Sequence, residues 1–152
     1  MSTEIDPYEA LIVLARANSS ITSVVGNRVD IWHRYGQDSG DWSLDSQSLI
    51  FVPSGGEAER DLNISNPVLN ARCYGDTPFE CGEVWKALND FMFNQPRRNI
   101  VTSNGKALIY YVLPVAGAGM PTLLFDEDIR ANGGMPFYEV PIVASISNRI
   151  VT

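Results

Sequence analysis

The residues that could carry chemistry are few and lie far apart in the sequence. His33 is the only histidine, and it stands between Trp32 and Arg34 at the end of an expected strand. Nucleophilic catalysis needs a nucleophile, a base and a group that orients the base, and one histidine in this setting does not supply that set. We therefore interpret His33 as a surface or packing residue and expect no enzymatic activity.

Neither a metal site nor a cofactor site is predicted. Cys73 and Cys81 stand eight positions apart without a nearby histidine or a third cysteine, so we interpret them as free, buried thiols. The acidic run Asp126, Glu127 and Asp128 offers carboxylates to a hard cation but lacks the spacing of a calcium-binding loop. The sequence favours a solvated run of charges in a loop.

Two further groups of residues are candidates for contacts between chains. Arg97 and Arg98 follow the longest predicted helix, where they either offset its C-terminal dipole or pair with an acidic patch of a neighbour. Trp42, Phe125 and Phe137 lie in loop-like segments, where exposed aromatic side chains either fold back onto the core or anchor an interface. The residues predicted to contact another subunit or a partner protein are Trp42, Arg97, Arg98, Phe125, Asp126, Glu127 and Asp128.

Length and composition indicate one domain over residues 1–152. A folded chain of 152 residues, 45% of them hydrophobic, hides roughly 68–70% of its unfolded surface. No uninterrupted apolar stretch approaches the roughly 20 residues that cross a bilayer, and the acidic N-terminus does not resemble a secretory signal, so we expect a cytosolic origin. The net charge of -7 argues against tight phosphate binding, so any contact with DNA should be non-adhesive.

Helix start signals occur twice. Asp6 before Pro7 is a helix cap followed by a proline at the first helical position, and the helix should run to about Asn18. Residues 77–80 repeat the signal as a full capping box, which predicts the main helix. Its apolar residues recur at helical spacing until Pro96 ends it near residue 94.

Strands are predicted from alternating or continuous apolar residues at 29–32, 47–53, 68–74, 106–113 and 138–151. A short helical turn over residues 20–25 should be closed by Gly26. Residues 34–46 and 55–66 are expected outside the sheet, and the long connection 114–137 is expected to meet a partner subunit. This order predicts an α+β fold with a mixed, mainly antiparallel sheet and two main helices packed on one face.

Three segments resemble one known family. Residues 21–28 read ITSVVGNR after the capped first helix, Cys73-Tyr74-Gly75 ends a strand just before the main helix, and residues 136–140 look like a last strand. In this order of elements the chain resembles the tail terminator, or tail completion, proteins of long-tailed bacteriophages. The likeness covers most of the chain and carries no catalytic signature.

The resemblance implies a structural role in the virion. Such a protein forms a ring, commonly of six subunits, at the neck-proximal end of the tail, after assembly in the cytoplasm of the bacterial host. The ring caps the tail tube protein, stops tube growth and presents a surface to the head–tail connector, while DNA passes through it without specific binding. Two alternatives remain: a head–tail joining (neck) protein, and a small ligand-binding or enzymatic domain with a pocket between the main helix and the sheet.

Overall fold

The computed structural model describes residues 4–31, 46–59, 62–94, 98–117, 119–127, 134–147 and 149. Its helices are α1 (Pro7–Arg16), α2 (Ser19–Val25) and α3 (Pro78–Phe93). Its strands are β1 (Val29–Ile31), β2 (Ser48–Glu59), β3 (Ile64–Tyr74), β4 (Arg98–Thr102), β5 (Gly105–Pro114), β6 (Thr122–Asp126) and β7 (Met135–Ser147). The predicted α+β class is confirmed.

The helices begin where their local signals predict, and α1 ends at Arg16, two residues before the predicted end at about Asn18. The Asp6 carboxylate accepts a hydrogen bond from the Tyr8 backbone N–H at 2.9 Å, and the Thr77 hydroxyl accepts one from the Glu80 N–H at 3.3 Å. Each cap satisfies a backbone donor that the first helical turn leaves without a partner. Gly26 ends α2 with φ at +62°, a value that favours glycine.

The strands form a mixed sheet that curls into a half-barrel, in the order β1-β2-β3-β7-β5-β4. Among the described strands only the β1–β2 pairing is parallel, so the predicted mainly antiparallel sheet is confirmed. β7 is central because β3 pairs with one of its edges, while β6 and β5 share the other edge over residues 135–139 and 142–146.

Two hydrophobic clusters hold the fold. The main cluster combines apolar residues of all three helices with alternate residues of the strands, among them Leu11, Leu14, Ile21, Leu88, Phe91, Leu49, Phe51, Leu69, Ala71, Val140, Ile142 and Ile146. A smaller cluster contains Ile50, Tyr74, Met135 and Phe137. Because successive strand residues point to opposite faces, the smaller cluster lies on the other face of the sheet.

Several segments differ from the sequence predictions. Residues 55–66 belong mostly to a β2–β3 hairpin, not to a segment outside the sheet, with an irregularity between Pro53 and Gly56. A side chain at Gly56 would meet the Asn66 carbonyl oxygen, so only glycine fits this close approach.

The connection 114–137 contains β6 and the start of β7, and β4 was not predicted. These strands form because a neighbouring strand offers them a partner, which their own composition does not reveal.

Candidate protein–protein interface

Strand β6 presents large apolar side chains to solvent. Leu123, Leu124 and Phe125 are 41%, 40% and 54% exposed, and Met120 just before the strand is 77% exposed. Consecutive strand residues point to opposite faces, so β6 is apolar on both sides. We call these four residues the β6 surface. Contiguous exposed apolar residues are typical of surfaces that contact another protein.

β6 occupies a place that the rest of the sheet leaves open. β5 pairs with the second half of β7, so the first half is available, and β6 pairs there with Leu124 opposite Phe137 and Asp126 opposite Met135. No strand in the described part of the chain pairs with the outer edge of β6. An edge strand of this kind can pair with a strand of a partner chain.

Asp126 ties the end of β6 to the sheet. Its side chain is buried, with 8% of the residue exposed, and the Tyr74 hydroxyl donates a hydrogen bond to it at 3.2 Å. A guanidinium nitrogen of Arg72 lies 4.0 Å from the same carboxylate oxygen. The interpretation of residue 126 as part of a solvated charge run is therefore wrong, because β6 carries its carboxylate onto the sheet rather than into a loop.

Arg72 connects Asp126 to the centre of the sheet. Its Nε donates to the Glu139 carboxylate at 3.0 Å, and its guanidinium stacks 4.8 Å from the centre of the Phe137 ring. The Tyr74 and Phe137 rings lie 4.9 Å apart. We call these five residues the Arg72 cluster. Its pairs contribute charge-assisted hydrogen bonds and a cation–π contact, both strengthened by partial burial.

Removal of the Asp126 carboxylate is expected to destabilise the fold. Asp126→Ala removes the acceptor of the Tyr74 hydroxyl and the carboxylate near the Arg72 guanidinium from a buried site, and loss of such a buried interaction costs about 1–3 kcal/mol. Urea denaturation followed by circular dichroism measures the loss. Glu127→Ala is the matched control, since Glu127 is exposed, and it should change the free energy of unfolding by less than about 0.5 kcal/mol. Equal stability of the two variants would contradict the anchoring role.

The other predicted contact residues are dispersed. Phe125, Asp126 and Glu127 lie together at the end of β6, with Phe125 and Glu127 exposed. Arg98 is also exposed but begins β4, the strand at one end of the sheet order. Trp42, Arg97 and Asp128 lie outside the described residues. Phe137 was also considered for an interface, but it is buried in β7 within the smaller cluster.

The two thiols are free and buried, as predicted. Burial, with a smaller contribution from Cys81, raises the pKa of the Cys73 thiol far above its ordinary value. Burial also raises the pKa of Cys81 to about 11, and its thiol donates a hydrogen bond to the Pro136 carbonyl at 3.2 Å. Because the thiolate is the reactive form, both groups are poor nucleophiles near neutral pH.

Two further features are absent from the described ranges. No group of three or more His, Cys, Asp or Glu side chains in this part of the chain could hold a metal ion. Among the same residues, no helix has the length and apolar character needed to cross a membrane.

Comparisons with known proteins do not assign a family, so a function has to be inferred from the fold and the candidate interface. No protein-family model matches the chain, and no curated protein matches it significantly.

Proposed function

We propose that this protein is a structural virion protein that forms a ring on the completed tail tube of a long-tailed phage, ends tube polymerisation and provides a surface for head–tail joining. The observation that carries the proposal is the β6 surface, an apolar edge strand whose end is anchored to the sheet by the buried Asp126. An exposed apolar edge suits a protein that acts through its contacts. The resemblance to tail terminators around Cys73-Tyr74-Gly75 supports the same role.

We infer that α1 and α3 pack on the same face of the sheet, since Leu14 of α1 and Leu88 of α3 share one cluster with Leu69 and Ile142. In that arrangement none of the three described helices covers the opposite face, which carries the Arg72 cluster. A ring subunit could use this face and β6 for contacts with its neighbours or with the tube.

The net charge fits passage of DNA. With a charge of -7, a ring of these subunits has an excess of negative charge, and a lumen with that charge repels the phosphate backbone. This repulsion limits adhesion of the DNA to the ring while the DNA moves through the lumen. A neck protein with this charge would also form a negatively charged ring. The terminator and neck roles are therefore distinguished by the assembly step that fails when the protein is absent.

Phe125→Asp is expected to prevent assembly while the subunit stays folded. The side chain is 54% exposed in the isolated chain, so the fold tolerates a charge there, whereas a charge inside a dry contact costs about 2 kcal/mol or more. That cost weakens association more than tenfold. Native mass spectrometry measures the oligomer, and sedimentation of mixtures with purified tail tubes measures capping.

Phe125→Leu is the matched variant, because it keeps an apolar side chain of similar reach and should assemble. Circular dichroism of both variants verifies that the subunit remains folded. If Phe125→Asp forms rings and caps tubes as well as the parent, the β6 surface is not the contact, and the proposal loses the observation that carries it.

A further inference from the structure

β1 lies at one end of the sheet and has an outer edge. It contains only three residues, Val29–Ile31, and pairs with β2 on its inner side. Among the described strands none pairs with its outer edge. An edge strand with free backbone groups can accept a strand of another chain. A protein that assembles through one particular edge therefore has to keep its other edges from pairing.

The hydrogen bond between β1 and β2 identifies the backbone groups that face outward. The Leu49 N–H donates to the Arg28 carbonyl at 2.9 Å, so that carbonyl points toward β2. Successive residues of a strand direct their backbone groups to opposite edges. The N–H and carbonyl of Val29, and the N–H of Ile31, therefore point away from β2.

These three outward groups already have partners within the chain. Arg16 of α1 donates two hydrogen bonds to the Val29 carbonyl, from Nε at 3.1 Å and from Nη2 at 2.7 Å. The Asp30 carboxylate accepts a hydrogen bond from the Ile31 N–H at 2.7 Å. The Val29 N–H donates to the Asn27 carbonyl at 2.8 Å. None of the three is left for a strand of another chain.

α1 is held in the position from which Arg16 reaches β1. Its main strand neighbours are β1 and β4, the two ends of the sheet order. The Glu9 carboxylate accepts hydrogen bonds from the backbone N–H and, at 3.0 Å, from the hydroxyl of Ser103 in the turn after β4. Glu9 and Arg16 lie on one side of α1, about 10 Å apart along its axis. One helix thus spans the gap between the two ends of the curled sheet.

We propose that Arg16 and Asp30 close the outer edge of β1 to strand addition by a second copy of this chain, so that this edge takes no part in assembly. The inference goes beyond the proposed function, because it concerns an association that the parent chain is built to avoid. Two β1 edges are identical, so without these side chains two copies can pair about a two-fold axis. Such a pair is closed and would divert subunits from a larger assembly.

Removal of both side chains in the Phe125→Asp chain tests the proposal, because that background lacks the β6 contact. Arg16→Met/Asp30→Ala leaves the net charge unchanged and should lower the concentration for half-maximal self-association roughly tenfold, as measured by sedimentation. Amide exchange followed by NMR identifies the edge. The Ile31 N–H should exchange faster than in the background when the variant is dilute, and should become protected as dimers form.

Lys86→Met/Asp90→Ala on the exposed side of α3 is the matched control, since it also replaces one cation by Met and one carboxylate by Ala. It should associate no more than the background. The single variants Arg16→Met and Asp30→Ala each free one backbone group and provide the same comparison if the double variant does not fold.

An edge variant that associates no more than the control overturns the closure of β1, and so does association without new protection of the β1 amides. Either result leaves the proposed function standing. A Phe125→Asp chain that still forms rings contradicts the β6 contact instead, and the β1 edge is then judged by the added association and the β1 protection in the same comparison.

Discussion

Leu88→Asp is expected to unfold the domain. Leu88 is fully buried in α3, in the cluster that joins the helices to the sheet. Loss of a buried leucine side chain costs about 2–5 kcal/mol, and a buried carboxylate without a partner adds several kcal/mol more. A domain of this kind has a total stability of about 5–15 kcal/mol. The substitution therefore removes most or all of it.

Circular dichroism at 25 °C and urea denaturation provide the measurement for Leu88→Asp. Phe79→Asp is the matched control on the same helix, because Phe79 is 74% exposed and a negative charge in the first turn of a helix is favourable. The control should keep the parental transition to within about 1 kcal/mol. A Leu88→Asp variant as stable as this control would mean that α3 does not pack through Leu88.

Helices were predictable from the sequence because their signals are local. An acceptor side chain before a proline, as at Asp6 and Thr77, fixes the start of a helix within a few residues. Strand β3 was predictable as well, since its alternation of buried and partly exposed residues is visible in the sequence. Such features need no knowledge of the rest of the fold.

The missed strands depend on the strands that pair with them. β4 and residues 54–59 of β2 contain few of the apolar alternations that identify a strand, and each forms against the other strand of its own hairpin. β6 was assigned to a long connection because Pro and Gly surround it. Its pairing with β7 shows that a short apolar segment between loops can form a strand where the sheet leaves an edge free.

Only a part of the candidate site could be found from the sequence. Phe125 was a candidate because a large aromatic residue stood in a loop-like segment, and it is exposed. The prediction that Asp126 belongs to a solvated loop was wrong, because its burial depends on Tyr74 and Arg72, which precede it by more than 50 positions. Arg72 and Glu139 lie opposite each other only through the β3–β7 register, and no local pattern indicates that register.

A phage that lacks this protein is expected to make filled heads and separate tail tubes of abnormal, unregulated length. A tube grows by repeating one contact between two different, complementary surfaces, so growth continues until another protein covers the last ring. In the proposed function, this protein covers the last ring of the tube. Negative-stain electron micrographs of lysates measure the length distribution directly, and the deletion should broaden it well beyond that of the parental phage.

Complementation makes this test specific for the β6 surface. Expression of the parent chain or of Phe125→Leu from a plasmid should restore tails of uniform length joined to heads, whereas Phe125→Asp should leave the deletion phenotype unchanged. A neck protein gives a different result, because the tube would already be capped and the tails would have normal length but would not attach to heads. Tails of normal length in the deletion strain would therefore exclude termination and assign the protein to the neck.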